Sequence, residues 1–287
     1  MTTTLQPGTD GRRPLVPGVF RRQRMPHRRG RRRVFTRRLR IVVSVMNLTA
    51  FFVIWQLIAT YGDVPTLFLP SVTDVWQALV DLHNEGILWD NLWISLSIYL
   101  IGLAISMAIA IPAGLLIGGI PVLDKALSTY VWALYTLPRI VLMPLLLVWV
   151  GINDAARIWI IVLSAVPATL VVIMEGVKTV DNSLLVAGRS FGASRSQLFS
   201  KIVMPATVPF IAIGVRMGVT RGLLGLFIGE IFTGVNGIGY ILTLAQKTFD
   251  SATIYAMLLV FLFFCIAMVS ATTWLERKVM EGRRQLD

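Results

Sequence analysis

Few residues in this chain have side chains able to do chemistry, and most of those lie inside long apolar runs. Glu230 sits in LFIGEIFTGVNGIGY, and Arg139, Arg216 and Arg221 interrupt other apolar stretches. An ionisable side chain at membrane depth costs about 2.5–3.5 kcal/mol on insertion scales and is by default a functional candidate. Glu230 suits either a solute pathway or a buried carboxyl satisfied by hydrogen bonds or an ion pair. Arg139 follows Pro138, where a freed backbone carbonyl can accept its hydrogen bonds. Arg216 and Arg221 lie nearer a span end and can snorkel towards water. Three arginines against one glutamate suit an anionic solute.

Nothing in the sequence assembles into a catalytic centre. The phosphate-cradling G-x-x-x-x-G-K-[ST] loop, H-E-x-x-H and G-x-S-x-G are all missing. The histidines are His27 and His83, and Glu175 lies far along the chain from Glu230. The single cysteine, Cys265, excludes a disulfide within the chain and is no metal site alone. We therefore expect no catalytic residue, no bound metal and no cofactor in this chain.

The elements that position these residues follow from composition. The chain is 55% hydrophobic and 15% charged, whereas soluble domains carry about 25% charged residues. Mean hydropathy is +0.73. Runs with little or no charge mark the spans: 41–60, 91–123, 126–150 around Arg139, 158–174, 217–232 around Arg221 and Glu230, and 252–275. A hydrocarbon core of about 30 Å takes roughly 20 helical residues. The expectation is an all-α membrane protein of six transmembrane helices.

Orientation comes from Lys and Arg. Of the 27, 22 fall in segments that six spans place on one side, including 13 arginines within residues 1–40. That side is cytoplasmic by the positive-inside rule, so both termini are expected there, in the plasma membrane. The net charge of +12 raises the question of nucleic acid. Its confinement to a tail, with the aromatic residues elsewhere, argues instead for topology and attraction to anionic lipid. Residues 1–40 read as a disordered Arg-rich cytoplasmic tail, 41–275 as the membrane domain, and 276–287 as a second cytoplasmic tail.

Two further features bear on function. Between the first two spans, PSVTDVWQALVDLHNEG places Val72, Val75, Trp76, Leu79 and Leu82 on one helical face, with Ser71 as cap and Asp74 three residues on. It reads as an interfacial helix on the outer leaflet, or as a spacer. Pro112, Pro138, Pro144 and Pro167 punctuate three consecutive spans. Each is a packing kink or a sign of helices arranged around a pathway.

The stretch VAGRSFGASRSQLFSKIVMP, residues 186–205, is the unusual one. It lies on the cytoplasmic side between two spans, basic at Arg189, Arg195 and Lys201, yet with apolar residues at helical spacing. Two short helices, 184–191 and 194–203, are expected, broken at Gly192, with Pro205 starting the next span. Without a partner such an elbow would rest on the inner leaflet.

These residues resemble the coupling loop of ATP-binding-cassette importer permeases, and more closely those of the nitrate, sulfonate and taurine branch. LPSVTDVWQAL, LPRIVLMPLLLVWVGI and GEIFTGVNGIGYIL match as well, so the resemblance runs from about Phe68 to Leu275. It implies the type I importer permease fold. It also implies a second permease, identical or homologous, a cytoplasmic ATPase dimer that binds ATP and Mg, and an extracytoplasmic solute-binding protein. Function would be alternating-access import of a small anionic solute such as a sulfonate, taurine or nitrate. A thiamine precursor or aromatic acid is the same-fold alternative, and an ion-coupled transporter the different-class one. The coupling loop, 181–205, would rest on Ala187, Gly188, Arg189, Phe191, Gly192, Ala193, Arg195, Leu198, Phe199 and Pro205. The pathway would take Glu230, Arg139, Pro138, Gly237 and Gly239, with 233–240 capping its outer end. One departure stands out: Val186-Ala187-Gly188 occupies the place of the family's Glu-Ala-Ala.

Overall fold

A computed structural model describes residues 37–284. Of the Arg-rich segment, residues 1–36 lie outside the described residues, as do 285–287. The chain divides after Thr49 into two units, the first containing the start of helix α1 and the second everything from Ala50 onward. The described residues are mostly helical, with no strand among them.

Helix α1 spans Arg37–Tyr61, α3 Ile87–Gly119, α6 Asp154–Lys178, α9 Met204–Thr233 and α11 Ser251–Arg284. Each is long and apolar enough to cross a membrane. The third expected span is not straight. α4 (Pro121–Thr136) ends before Pro138, a 3₁₀ turn covers Arg139–Leu142 and leads into α5 (Met143–Val150), and the segment Arg139–Val150 leaves at 91° to α4. Proline explains the break, because Pro138 and Pro144 remove two backbone donors within seven residues. Counting this bent pair as one, the spans number six. Pro112 and Pro167 stay inside α3 and α6 without ending them.

The short helix α2 (Val72–Asn84) forms where the spacing predicts it, and its cap is observed. Ser71 Oγ accepts from the Asp74 N–H, and the Ser71 N–H donates to Asp74 Oδ2, each at 3.1 Å. Gln56 Oε1 accepts from the Val72 N–H at 2.8 Å, fixing the start of α2 to α1.

The core is centred on α6, whose buried residues run along nearly its whole length. α6 lies between α3 and α9, and glycine makes both contacts close. On α3, β-carbons at Gly102 and Gly114 would fall within 3 Å of the Ile161 and Ile173 side chains. On α9, Gly214, Gly218, Gly222, Gly225 and Gly229 recur every three or four residues and face α6 or its neighbour α3. Lipid tails are as apolar as leucine, so membrane helices associate through such close packing and through interhelical hydrogen bonds. Two of these are observed: Thr169 Oγ1 donates to Gly214 O at 3.1 Å, and Tyr99 Oη to Val219 O at 3.0 Å.

The fifth helix is longer than its uncharged run implies. α9 starts at Met204 and continues, through a π turn at Phe199–Val203, from the short helix α8 at Arg195–Leu198. Pro205 lies in the first turn of α9, where its missing N–H costs least, and the π turn joins that start to α8 without a gap. At the C-terminal end, α11 runs on as helix from the expected span into the residues read as a tail, as far as Arg284.

Candidate functional site

Two regions hold the residues singled out by sequence, one at each end of the bundle, and a third lies between them.

At the first end the chain leaves α6, forms α7 (Asn182–Ser190), turns at Gly192 and enters α8. Asp181 caps α7, its Oδ1 accepting from the Ser183 N–H at 2.8 Å. That hydrogen bond holds the Asp181 carboxyl below its ordinary range. α7 ends in a left-handed glycine cap: Gly192 has φ +78°, the Ala193 N–H donates to Gly188 O at 3.0 Å, and the Gly192 N–H to Arg189 O at 2.9 Å. This bond pair fixes the angle at which the chain leaves a helix. Ser194 then caps α8, and Gln197 reciprocates on the Ser194 N–H at 2.8 Å.

The elbow has two faces. Leu198 and Val203 are buried, and Leu185 and Phe199 pack with Val203 against Leu115, Ile173 and Val177 at the ends of α3 and α6. A β-carbon on Gly119 would lie 3.2 Å from the Phe199 ring, so that ring rests on the turn between α3 and α4. The other face is open. Leu184, Val186 and Ala187 are exposed, and Phe191 is 91% exposed at the tip beside Gly192. Arg189 and Arg195 are solvated and flank a groove of about 1030 Å³ running to Pro121 and Leu116. Val186, where the family's glutamate would stand, points out at 51% exposure. Gly188 faces inward: α7 crosses α8 there, and a β-carbon would lie 2.6 Å from Leu198 Cδ2 and 3.0 Å from Ile202 Cδ1.

At the opposite end, α9 stops at Gly234 (φ +58°) and the chain doubles back through Gly237 (φ +99°) into α10 (Ile238–Lys247), which packs on α9 and α11. Glu230 is fully buried beneath this loop. Its Oε1 accepts from Ser95 Oγ and its Oε2 from the Gly239 N–H at 2.8 Å. Ser95 Oγ also accepts from the Ile238 N–H at 3.0 Å, and Asn91 Oδ1 from the Gly237 N–H at 2.7 Å. Glu230, Gly237 and Gly239 thus come together, as a clamp on the loop; in this structure the carboxylate presents no surface to solvent.

Sequence reasoning missed a residue here. Arg157 reads as a loop cation, yet it is fully buried near the start of α6. Its Nη1 donates to Asn236 O at 3.0 Å, and its Nη2 pairs with Asp154. The Asp154/Arg157 spacing of one helical turn was the available signal. Asn91 and Ser95, also one turn apart in an otherwise apolar run, were another.

Arg139 belongs to neither end. Its Nη2 donates to Tyr135 O at 2.8 Å, and its charge lies 5.8 Å from the Tyr135 ring centre. Pro138, exposed beside it, marks the α4 break. Arg216 reaches Glu276 of α11 at 3.5 Å. Among the described residues no group of three His, Cys, Asp or Glu side chains is placed to hold a metal.

Residues 110–281 match the family model described as "Binding-protein-dependent transport system inner membrane component". A probable ABC transporter permease protein of Brucella melitensis is 32% identical over 74% of this chain and 87% of its own length. The putative aliphatic sulfonates transport permease protein SsuC of Escherichia coli K12 is 31% identical over 76% of this chain and 83% of its own. The taurine transport system permease protein TauC of the same organism is 26% identical over 72% and 77%. Among solved structures, the inward-facing MetNI methionine ABC transporter shares the fold at TM-score 0.58 and 18% identity, over 68% of this chain and 96% of that one. An amino acid ABC transporter with histidines does so at TM-score 0.55 and 15% identity, over 70% and 97%.

Proposed function

The chain belongs to the inner-membrane components of binding-protein-dependent transport systems, and from that premise we propose that it forms the translocation pathway of an ATP-driven importer for a small anionic solute, of the sulfonate or taurine kind. Resemblance to the SsuC and TauC permeases supports the solute class. Pathway residues in this reading are Arg139 and Pro138 at the bend, with Glu230, Gly237 and Gly239 shaping the loop at the outer end.

The observation that carries the coupling role is the two-faced elbow. Its inner face is locked to α3, α6 and α9 through Leu185, Phe199 and Val203, while Leu184 and Phe191 stand bare on the outside. An exposed aromatic beside a rigid turn is the kind of anchor that fills a pocket on a partner. The partner is a cytoplasmic ATPase dimer that carries the ATP and Mg; this chain binds neither. Force applied at Phe191 passes through α8 and the π turn into α9 without a flexible joint. Alternating access then follows as the ATPases close and open.

In this reading both termini are cytoplasmic, a second permease completes the pathway, and a solute-binding protein docks at the α10 end. The outward position of Val186 removes one carboxylate from the docking face, and Arg189 and Arg195 supply polar contacts in its place.

The test is purification of the tagged chain from its native membrane in mild detergent, with every accompanying protein counted. One ATPase copy per permease is the expected result, with Phe191→Ala or Gly192→Leu releasing it. Recovery of the chain alone across several detergents would sink the importer reading in favour of an ion-coupled transporter.

A further inference from the structure

Arg139, on the 3₁₀ turn between α4 and α5, and Arg221, on α9, line one small cavity with Ser164 of α6. Its volume is about 270 Å³, and Ile140, Leu224 and Ile228 complete it. Drug-sized ligands occupy roughly 300–1,000 Å³, so this space suits a headgroup. Depth follows from helix rise. Ser164 is ten residues into α6 from Asp154, about 15 Å along the axis, and Arg221 is twelve residues from the end of α9, about 18 Å. Both lie near the middle of a hydrocarbon core about 30 Å thick.

Two polar groups lining this cavity, Arg139 Nε and Ser164 Oγ, are left without a partner. Arg139 gives Nη2 to Tyr135 O, but its Nε is buried with no hydrogen-bond partner. Ser164 is 2% exposed and its Oγ is likewise unpartnered. That hydroxyl lies against Gly225, one turn along α9 from Arg221, where a β-carbon would approach it to 2.9 Å. Among the described residues no carboxylate pairs with Arg139 or Arg221, whereas Arg157 and Arg216 each have one and Lys178 has two. Both guanidinium groups line the same small cavity. Two like charges, half-buried beside an unpaired buried hydroxyl at mid-span, are costly unless an anion joins them.

We propose that Arg139, Arg221 and Ser164 form a mid-membrane subsite for an oxyanion, the sulfonate or nitrate group of the transported solute. Guanidinium forks match planar or tetrahedral oxyanions through paired N–H donors, and the serine hydroxyl supplies a further donor. Three chain segments meet at the site: α6, α9 and the bend between α4 and α5. Because the elbow is continuous with α9, movement of α9 carries Arg221 relative to Arg139 and opens or closes the fork. The proposal rests on the importer reading and adds to it where the solute is held.

The test is a binding titration on the purified permease, in whatever assembly it is recovered, without the solute-binding protein and at low ionic strength. Sodium methanesulfonate and sodium nitrate are the probes, with methylammonium chloride as the cation control. Saturable binding of at least one anion is expected. Arg139→Gln and Arg221→Gln should each weaken it roughly tenfold or more, the worth of a charge-assisted hydrogen bond. Ser164→Ala should weaken it less, while Arg139→Lys and Arg221→Lys, which keep the charge and lose the fork, should fall between. Arg216→Gln, with its charge already matched by Glu276, should change nothing. No saturable binding by the unaltered protein, or equal binding by both glutamine variants, overturns the subsite. ATPase co-purification is scored on the same preparations: its presence beside insensitive binding rejects only the subsite, and its absence rejects only the importer.

Discussion

Gly188 of α7 and Leu198 of α8 touch so closely that a β-carbon on Gly188 would come within 2.6 Å of Leu198 Cδ2. Judged on helix propensity alone, Gly188→Ala should stabilise α7 by about 1 kcal/mol. The packing opposes that gain: the atoms met are the ends of the Leu198 and Ile202 side chains, and because Leu198 is buried and has little room to shift, overfilling the contact costs about 1–3 kcal/mol. We expect faster amide hydrogen exchange in α8 for Gly188→Ala and weaker ATPase coupling. The double variant with Leu198→Ala should recover part of both. Slower exchange in the single variant would show that propensity wins and that the crossing is slack.

Phe191 is expected to dominate docking. It is 91% exposed at the tip of a capped turn, so its removal leaves the fold of the elbow untouched. Phe191→Ala should weaken ATPase association by about 2 kcal/mol, roughly thirtyfold, as loss of an aromatic anchor does. Thermal stability of the permease should not change. Leu184→Ala, on the same exposed face, should act in the same direction and less strongly.

The spans were legible because charge is expensive in lipid, and gaps between charges therefore mark them. The elbow was legible for a related reason: Gly192 and Ser194 are local signals whose meaning does not depend on distant residues. Residues whose roles are set by partners far along the chain were harder. Arg157 sits beside Asp154 and looks solvated, and only Asn236, 79 residues away, places it inside. Gly188 is a poor helix former by propensity, and only Leu198, packed against it, gives the glycine a reason to stand there. The glycine spacing of α9 at 214, 218 and 222 carried a readable signal for close helix packing. The 91° angle at Pro138 carried none, because proline breaks a helix without specifying where the next one points.

Asp181 gives the elbow a defined pH response. Its carboxyl lies below its ordinary value because it accepts the Ser183 N–H, so the folded elbow favours the charged form. The stabilisation is present above the unfolded-state pKa, near 3.8, and disappears as pH falls through the lower folded value. Amide exchange at the start of α7 should therefore show no step across neutral pH, and added opening only in strong acid. Asp181→Asn keeps an accepting oxygen and should remove that acid step while preserving protection at neutral pH. Asp181→Ala should lose protection at all pH values. A protection step centred between pH 5 and 8 would point to a different group.

Glu230 holds the loop at the other end through both of its oxygens, and the two ligated groups come from different elements: Ser95 from α3 and Gly239 from α10. Glu230→Ala leaves the Gly239 N–H and the Ser95 hydroxyl buried without this acceptor, which should cost about 3 kcal/mol. Glu230→Gln keeps one accepting oxygen and should cost closer to 1 kcal/mol. Gly237→Ala attacks the clamp from the opposite direction. At φ +99° a side chain is strained, and its β-carbon would run into the Glu230 carboxylate. Denaturation in detergent should rank Glu230→Ala and Gly237→Ala well below Glu230→Gln. A clamp that only supports the fold predicts transport falling in step with folded protein. A clamp that also sets the loop for the transport cycle predicts a Glu230→Gln complex that folds, binds its ATPase and yet transports slowly. Measuring uptake per folded complex separates the two, and normal uptake by that variant would confine Glu230 to a structural role.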